Sequence, residues 1–252
     1  MIIYSVLIGN YDDFDTKIPP CNLGCDARYI LITDQIDASN NDWEIRYVDK
    51  AGDPFIESRR YKIIPNSIFK DFNIPTLYID ANVKLQKCPC SLFRTYEMGK
   101  NLVVPAHPFR NCVYEETSLF LKNTKYHLIA QDVLRFYNEI SFPKQYGLTE
   151  NGIFIIDRSI TKNCLLFEDW FNLVNRFRCR DQFLLMPMIR QHGAIYQTLA
   201  EGPRNSKEFF RLKPHISEQV STRSQRLRYN IRSAPNASYL NKFLSKLLRV
   251  FK

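Results

Sequence analysis

Asp80-Ala81-Asn82 ends the apolar run Thr76-Leu77-Tyr78-Ile79, which sets a carboxylate and an amide oxygen one residue apart at the end of a strand-like segment. Two such oxygens can hold Mn²⁺ or Mg²⁺, and a divalent cation there neutralises a diphosphate and assists its departure. Asp-x-Asn triplets are also common in turns, so the chemistry depends on what surrounds this one. A second polar edge follows the apolar run 2–8, where Gly9-Asn10-Tyr11-Asp12-Asp13 forms a turn at the usual place for a ligand loop in an open α/β sheet. Further carboxylates stand at Glu115 and Glu116, after His107 and Arg110 in a Pro-bounded stretch, and at Asp181, which opens a helix-like segment as an N-cap or first-turn residue would. His215 lies late in the chain, in Arg211-Leu212-Lys213-Pro214-His215.

The elements that must position these residues alternate. Strands are expected over 2–8, 28–33, 43–48, 76–85, 102–104 and 152–156. Helices are expected over 57–69, interrupted near Pro65, and over 115–122, 126–139, 160–176 and 181–191. This alternation predicts an α/β fold, with three short strands in the first fifty residues suggesting a nucleotide-binding half. The 252 residues, close to half of them apolar, suit one large catalytic domain over 1–217 better than two small ones.

The net charge of +9 resembles a nucleic-acid signal until it is located. Residues 203–252 hold twelve Lys/Arg and two Asp/Glu, which leaves the first 202 residues nearly neutral. That balance argues against a phosphate-tracking face, and no nucleic-acid partner is expected. Residues 218–238 read as a basic arm. Over 239–252, Leu240, Phe243, Leu244, Leu247, Leu248 and Phe251 fall on one helical face, with Lys242, Lys246, Arg249 and Lys252 on the other. This basic amphipathic pattern predicts a helix lying on an anionic membrane surface; docking on the domain or on a second copy is the alternative. No long apolar run and no leader-like start occur, so a chain that is soluble or peripheral at the cytoplasmic, inner face of the membrane is expected. The seven scattered cysteines suit a reducing compartment. Neither Cys21 to Cys25 nor Cys88-Pro89-Cys90 has the paired CxxC spacing or nearby histidines of a structural zinc site, so buried free thiols are expected.

Ser58-Arg59-Arg60-Tyr61-Lys62-Ile63-Ile64-Pro65 followed by Asn73-Ile74-Pro75-Thr76-Leu77-Tyr78-Ile79-Asp80 resembles the helix-then-strand passage of retaining family-eight glycosyltransferases. With Tyr4-Ser5-Val6-Leu7-Ile8-Gly9-Asn10-Tyr11-Asp12, His107 to Glu116 and Arg180-Asp181-Gln182, the sequence is similar over roughly residues 2–216 to the TOD/MUCI-type glycosyltransferase-like family, once catalogued as a domain of unknown function and known from plants and bacteria. The resemblance implies a GT-A type fold, a mixed Rossmann-like sheet flanked by helices, and a nucleotide-sugar donor. On that reading Tyr11 and Asp12 meet the base and ribose, while Arg60, Lys62 and Lys213 lie near the diphosphate. Asp80, Asn82 and His215 ligate Mn²⁺ or Mg²⁺, with Asn82 where the family-eight pattern has a second aspartate. Gly152, in Gly147-Leu148-Thr149-Glu150-Asn151-Gly152, belongs to a loop beside the donor sugar, where glycine permits close approach. His107, Arg110 and Gln182 contact the acceptor or the sugar. If transfer inverts the anomeric centre, Asp181 is the first candidate for the base, with Glu115 and Glu116 as alternatives.

The expected function is transfer of a sugar from a nucleotide-sugar to a glycan or lipid-linked acceptor, in the synthesis of bacterial capsule or lipopolysaccharide. The alternative is a non-catalytic nucleotide- or glycan-binding module whose metal site has decayed, as Asn82 would allow.

Overall fold

The computed structural model describes residues 1–22, 24–37, 42–50, 52–64, 68–69, 74–94, 102–157, 165–206 and 208–215. The described residues form two compact units, one from those within 1–50, 77–94 and 201–215, the other from those within 52–76 and 102–200.

In the first unit, β1 (Ile2–Leu7) and β2 (Arg28–Thr33) are short apolar strands, buried almost throughout, as strands covered on both faces must be. They pair in parallel, Ile2 opposite Arg28 through Leu7 opposite Thr33. The half-exposed β3 (Glu44–Tyr47) adds in parallel to β2 as an edge strand. On the other side of β1 runs β4 (Pro75–Ile79), whose Leu77 and Ile79 are fully buried, and the Tyr78 ring meets Tyr4 edge-on at 5.3 Å. A separate two-stranded ribbon pairs β5 (Val83–Leu85) antiparallel with β9 (Phe210–Leu212), Val83 opposite Leu212 and Leu85 opposite Phe210. The short helix α2 (Cys90–Arg94) follows β5.

The second unit begins with α1 (Pro54–Ile63). Asp53 caps it, Oδ1 accepting from the Phe55 amide at 2.7 Å, and Pro54 occupies the first turn, where a missing amide proton costs nothing. Strand β6 (Leu102–Pro105) pairs antiparallel with β7 (Ile153–Asp157) and parallel with β8 (Tyr196–Leu199), so the sheet is mixed. Around it run α3 (Val113–Ser118), continued by a 3₁₀ turn over Leu119–Lys122, then α4 (His127–Glu139), α5 (Leu166–Phe177) and α6 (Gln182–Gln191). Residues 182–189 of α6 are all buried. The core gathers Trp170, Tyr137 and Phe154, and buried Tyr137 satisfies its hydroxyl by donating to the Phe183 carbonyl at 2.8 Å.

The α/β class with a mixed sheet and flanking helices is borne out. Several boundaries move. The strand expected over 76–85 breaks into β4 and β5, with Asp80-Ala81-Asn82 in the turn between them. The helix expected over 57–69 begins three residues earlier, at the Asp53-Pro54 start, and ends at Ile63, because Ile64 precedes Pro65 and is turned out of helical backbone. Strands β8 and β9 and helix α2 are unanticipated. Residues 160–164 of one expected helix, and the amphipathic segment 239–252 with the whole of its arm, lie outside the described residues.

Candidate active site

In the first unit three sheet edges deliver one cluster. The loop after β1 carries Tyr11 and Asp12, the turn after β4 carries Asp80 and Asn82, and the end of β9 carries Lys213 and His215. The β5–β9 ribbon sets the register: the Lys213 amide donates to the Asn82 carbonyl at 2.8 Å, just beyond the Val83–Leu212 pair. His215 then stands between two partners. Its Nδ1 lies 2.7 Å from Oδ2 of buried Asp12, and its Nε2 lies 3.3 Å from Asn82 Nδ2. The Asn82 amide also donates to the Lys213 carbonyl at 3.3 Å. Exposed Tyr11 sets its ring 4.8 Å from the His215 imidazole, and Asp80 Oδ1 accepts from the Tyr78 hydroxyl at 2.6 Å. Lys213 reaches across to the acidic loop, its Nζ 2.9 Å from Asp13 Oδ1 and 2.8 Å from Asp15 Oδ1. Burial works against the charge on both Lys213 and Asp15, but their mutual pairing, with Lys84 beside Asp15, prevails: Lys213 is raised and Asp15 lowered from their ordinary values.

A second cluster lies within the second unit. Lys62, on α1, and Asp181, before α6, are each 7 % exposed, with Nζ 3.0 Å from Oδ2. Burial pushes the Asp181 carboxyl up, but the charges of Lys62, Arg59 and Arg180 more than reverse this and hold it below the usual Asp value. Asp181 occupies the N-cap position of α6, yet its side chain caps nothing; its carboxylate serves Lys62. Trp170 fixes the same residue from behind, donating from Nε1 to the Asp181 carbonyl at 2.9 Å. Next to it, Gln182 Nε2 donates to the Thr149 carbonyl at 2.5 Å, and Thr149 Oγ1 donates to Asn151 Oδ1 at 2.7 Å. Buried Glu116 accepts from Arg110 Nε and lies 3.6 Å from Arg180 Nη1, so it is clamped between two guanidinium groups. His107 accepts the Phe109 and Arg110 amides on Nδ1, at 3.3 and 3.1 Å, which makes its ring the scaffold of the 107–110 turn.

A model of the family described as TOD1/MUCI70, glycosyltransferase-like domain, matches residues 39–198. The chain belongs to this family. No curated protein sequence matches the chain. Among solved structures it is similar to apo mouse xyloside xylosyltransferase 1, with TM-score 0.47 and 9 % identity over 78 % of this chain and 84 % of that one. It is similar also to the galactosyltransferase LgtC bound to donor and acceptor sugar analogs (TM-score 0.48, 13 % identity, 81 % of this chain and 74 % of that one). The glycosyltransferase GlyE of Streptococcus pneumoniae TIGR4 is a third (TM-score 0.44, 11 % identity, 79 % of this chain and 45 % of that one). Such distant likeness transfers no residue role, so the site rests on this chain's own geometry.

The TOD1/MUCI70 match is narrower than the resemblance over 2–216, and leaves Tyr11, Asp12, Lys213 and His215 outside it. The glycosyltransferase class expected of the chain agrees with the family, and the expected mixed sheet with the strand pairing. Within each unit the expected residues fall into place unevenly. Tyr11, Asp12, Asn82, Lys213 and His215 converge, and Asp80 shares their turn. Lys62, Asp181 and Gln182 are buried, as is Glu116. Arg60 is an exposed helix-face residue paired with Glu57 at 3.3 Å, and Glu115 is exposed on α3. Gly152 sits in the turn into β7 without a positive φ; the glycine that needs its freedom is Gly147, at φ +132, where an added Cβ would meet Met186 at 3.0 Å. Arg59, Thr149, Asn151 and Trp170 were missed. Arg59 had a signal in its place one turn before Lys62's end of α1, and Thr149 and Asn151 in the Gly147–Gly152 loop read as lying beside the donor sugar; Trp170 had none.

The cysteine expectation is corrected. Cys21 and Cys88 form a disulfide, and Cys25 and Cys90 bring their sulfurs to the same place. Their 67-residue separation conceals what the loop after β1 and the segment after β5 bring together.

Proposed function

We propose that this TOD1/MUCI70-family chain transfers a sugar from a nucleotide-sugar to a hydroxyl of a glycan or lipid-linked acceptor, in the assembly of a bacterial surface polysaccharide. The observation that carries the reading is the Asp12–His215–Asn82 constellation. Asp12 holds Nδ1, so the imidazole presents Nε2 toward Asn82 in the manner of a ligand oriented by a carboxylate behind it. Half a turn of the Asn82 amide, at the loss of its bond to the Lys213 carbonyl, would put its oxygen beside Nε2; His215 and Asn82, with Asp80 in the same turn as Asn82, are the residues that would then hold Mn²⁺ or Mg²⁺. When bound, such an ion supplies charge neutralisation for a departing nucleoside diphosphate.

The chain's own residues do the rest. Tyr11 offers an exposed aromatic face to the base, and Lys213, raised in pKa, stays cationic beside the same loop. Asp181 is ionised and engaged by Lys62, which makes it a poor proton acceptor and gives it a positioning role; retention, which needs no general base, is the stereochemistry this favours. Gln182 Oε1 and Asn151 Nδ2 are buried with no hydrogen-bond partner among the described residues, and we assign them to sugar hydroxyls.

The test is turnover of UDP-, GDP-, CMP- and TDP-sugars with and without Mn²⁺. One donor should be hydrolysed or transferred, and Asp80→Ala should lower kcat/KM by about 100-fold or more without loss of fold. Binding or turnover of none of them would remove the reading.

A further inference from the structure

The sulfurs of Cys21, Cys25, Cys88 and Cys90 all lie within 4.8 Å of one another in the first unit. Among the described residues this is the group of three or more His, Cys, Asp or Glu side chains whose ligand atoms gather closely enough for a metal. We propose that in the reduced chain these four cysteines form a tetrathiolate zinc site. It lies apart in composition from the oxygen- and nitrogen-bearing cluster at Asp80, Asn82 and His215, and does not depend on the function proposed above.

The geometry and the ligand chemistry agree. Zinc bound by four thiolates at about 2.3 Å needs sulfur–sulfur edges of about 3.8 Å, so the longest edge must contract by about 1 Å or less while the Cys21 and Cys88 sulfurs, once their bond is reduced, move apart to that spacing. Cys88 and Cys90 are buried, Cys21 and Cys25 half-buried, which leaves the site closed on one side and reachable on the other. Four soft ligands with no carboxylate or water-exposed oxygen select zinc over Mg²⁺, Ca²⁺ or Mn²⁺. The backbone is shaped for it: Gly24, at φ +62, turns the chain immediately before Cys25, and Cys21 and Cys25 have the C-x₃-C spacing of a zinc-binding pair. Cys88-Pro89-Cys90 supplies the other two, Cys88 from the stretch after β5 and Cys90 as the first residue of α2, where the Leu92 amide donates to the Pro89 carbonyl. Zinc and the Cys21–Cys88 disulfide are mutually exclusive, because the metal takes both sulfurs as thiolates and releases their protons.

A metal here would add a fastening to a loop that side-chain contacts such as Asp12–His215 and Thr16 Oγ1 to the Val83 carbonyl already hold. Residues 8–27 between β1 and β2 hold no helix or strand among the described residues, and they carry Tyr11, Asp12, Asp13 and Asp15. Zinc would tie the far end of that loop to the foot of the β5–β9 ribbon.

The experiment is elemental analysis of the full chain purified under reducing conditions, with its Co²⁺-substituted form examined by absorption. Expected are one zinc per chain, the sulfur-to-cobalt charge-transfer and visible d–d bands of a tetrahedral thiolate site, and a fall in Tm of about 5 °C or more on zinc removal under reductant. Cys25→Ser and Cys90→Ser, which leave both disulfide partners in place, should each lose most of the zinc. A reduced wild-type chain that takes up neither zinc nor cobalt would overturn the site, as would a Cys25→Ser protein with wild-type zinc content and Tm. Iron in place of zinc would overturn the choice of metal.

Discussion

Asp181 and Lys62 are each buried and each the other's counter-charge, and this decides what either substitution does. Removing one charge strands the other, so Asp181→Asn should destabilise the protein by about 3–5 kcal/mol, whereas the double change Lys62→Met with Asp181→Leu should recover most of the loss. Chemical denaturation of the three variants checks this. The pH dependence follows from the depressed carboxyl. Its stabilisation is fully present above the ordinary Asp range and is lost as pH falls through its lower folded value, so Asp181→Asn should also flatten the acid limb of the stability–pH profile. Little of this pair was legible in the sequence. The resemblance offers Asp181 as the base for an inverting transfer and Lys62 as a neighbour of the diphosphate, since nothing in a sequence reveals that 119 positions apart two opposite charges share one dry site. His215 was legible only through the resemblance; the contacts that give it meaning come from Asp12 and Asn82, far away in the chain.

Among the elements, the β5–β9 ribbon is the smallest and the most consequential. Three residues per strand bring the segment holding Lys213 and His215 beside Asn82. Phe210, 2 % exposed and opposite Leu85, anchors it. Phe210→Ala should cost about 3–5 kcal/mol and weaken nucleotide binding together with stability, read as paired losses in thermal melting and calorimetric affinity. Sequence reasoning found β1, β2, β6, β7, α4 and α6 within a residue or two, because each carries a long apolar run or a strong 3.6-residue period. It missed β9 because Phe210-Arg211-Leu212 is too short to show a period, and it merged β4 with β5 because Asp80-Ala81-Asn82 interrupts an otherwise continuous strand-like stretch. The cysteine pairing was hidden for the same reason: it is made by the convergence of elements and not by spacing within one.

For the whole chain, the family assignment gives the class of reaction, and the charge distribution suggests where it occurs. Basic residues concentrate after position 203, and no helix among the described residues is long and apolar enough to cross a membrane. We propose that the amphipathic segment 239–252 binds the inner membrane surface, where apolar burial and anionic headgroups act together. In flotation with anionic vesicles, the full chain should rise with the lipid and a chain ending at residue 220 should stay behind; equal flotation of both would contradict the anchor. The claim on which the rest depends is that Asp80, Asn82 and His215, the last oriented by Asp12, form a divalent-metal and nucleotide-diphosphate site. Calorimetric titration of UDP and GDP in the presence and absence of Mn²⁺, on the wild-type chain and on His215→Ala, tests it most directly. Mn²⁺-dependent binding of one nucleotide, weakened by about 10- to 100-fold in the variant, is the predicted result; binding that ignores both the metal and the histidine would contradict it.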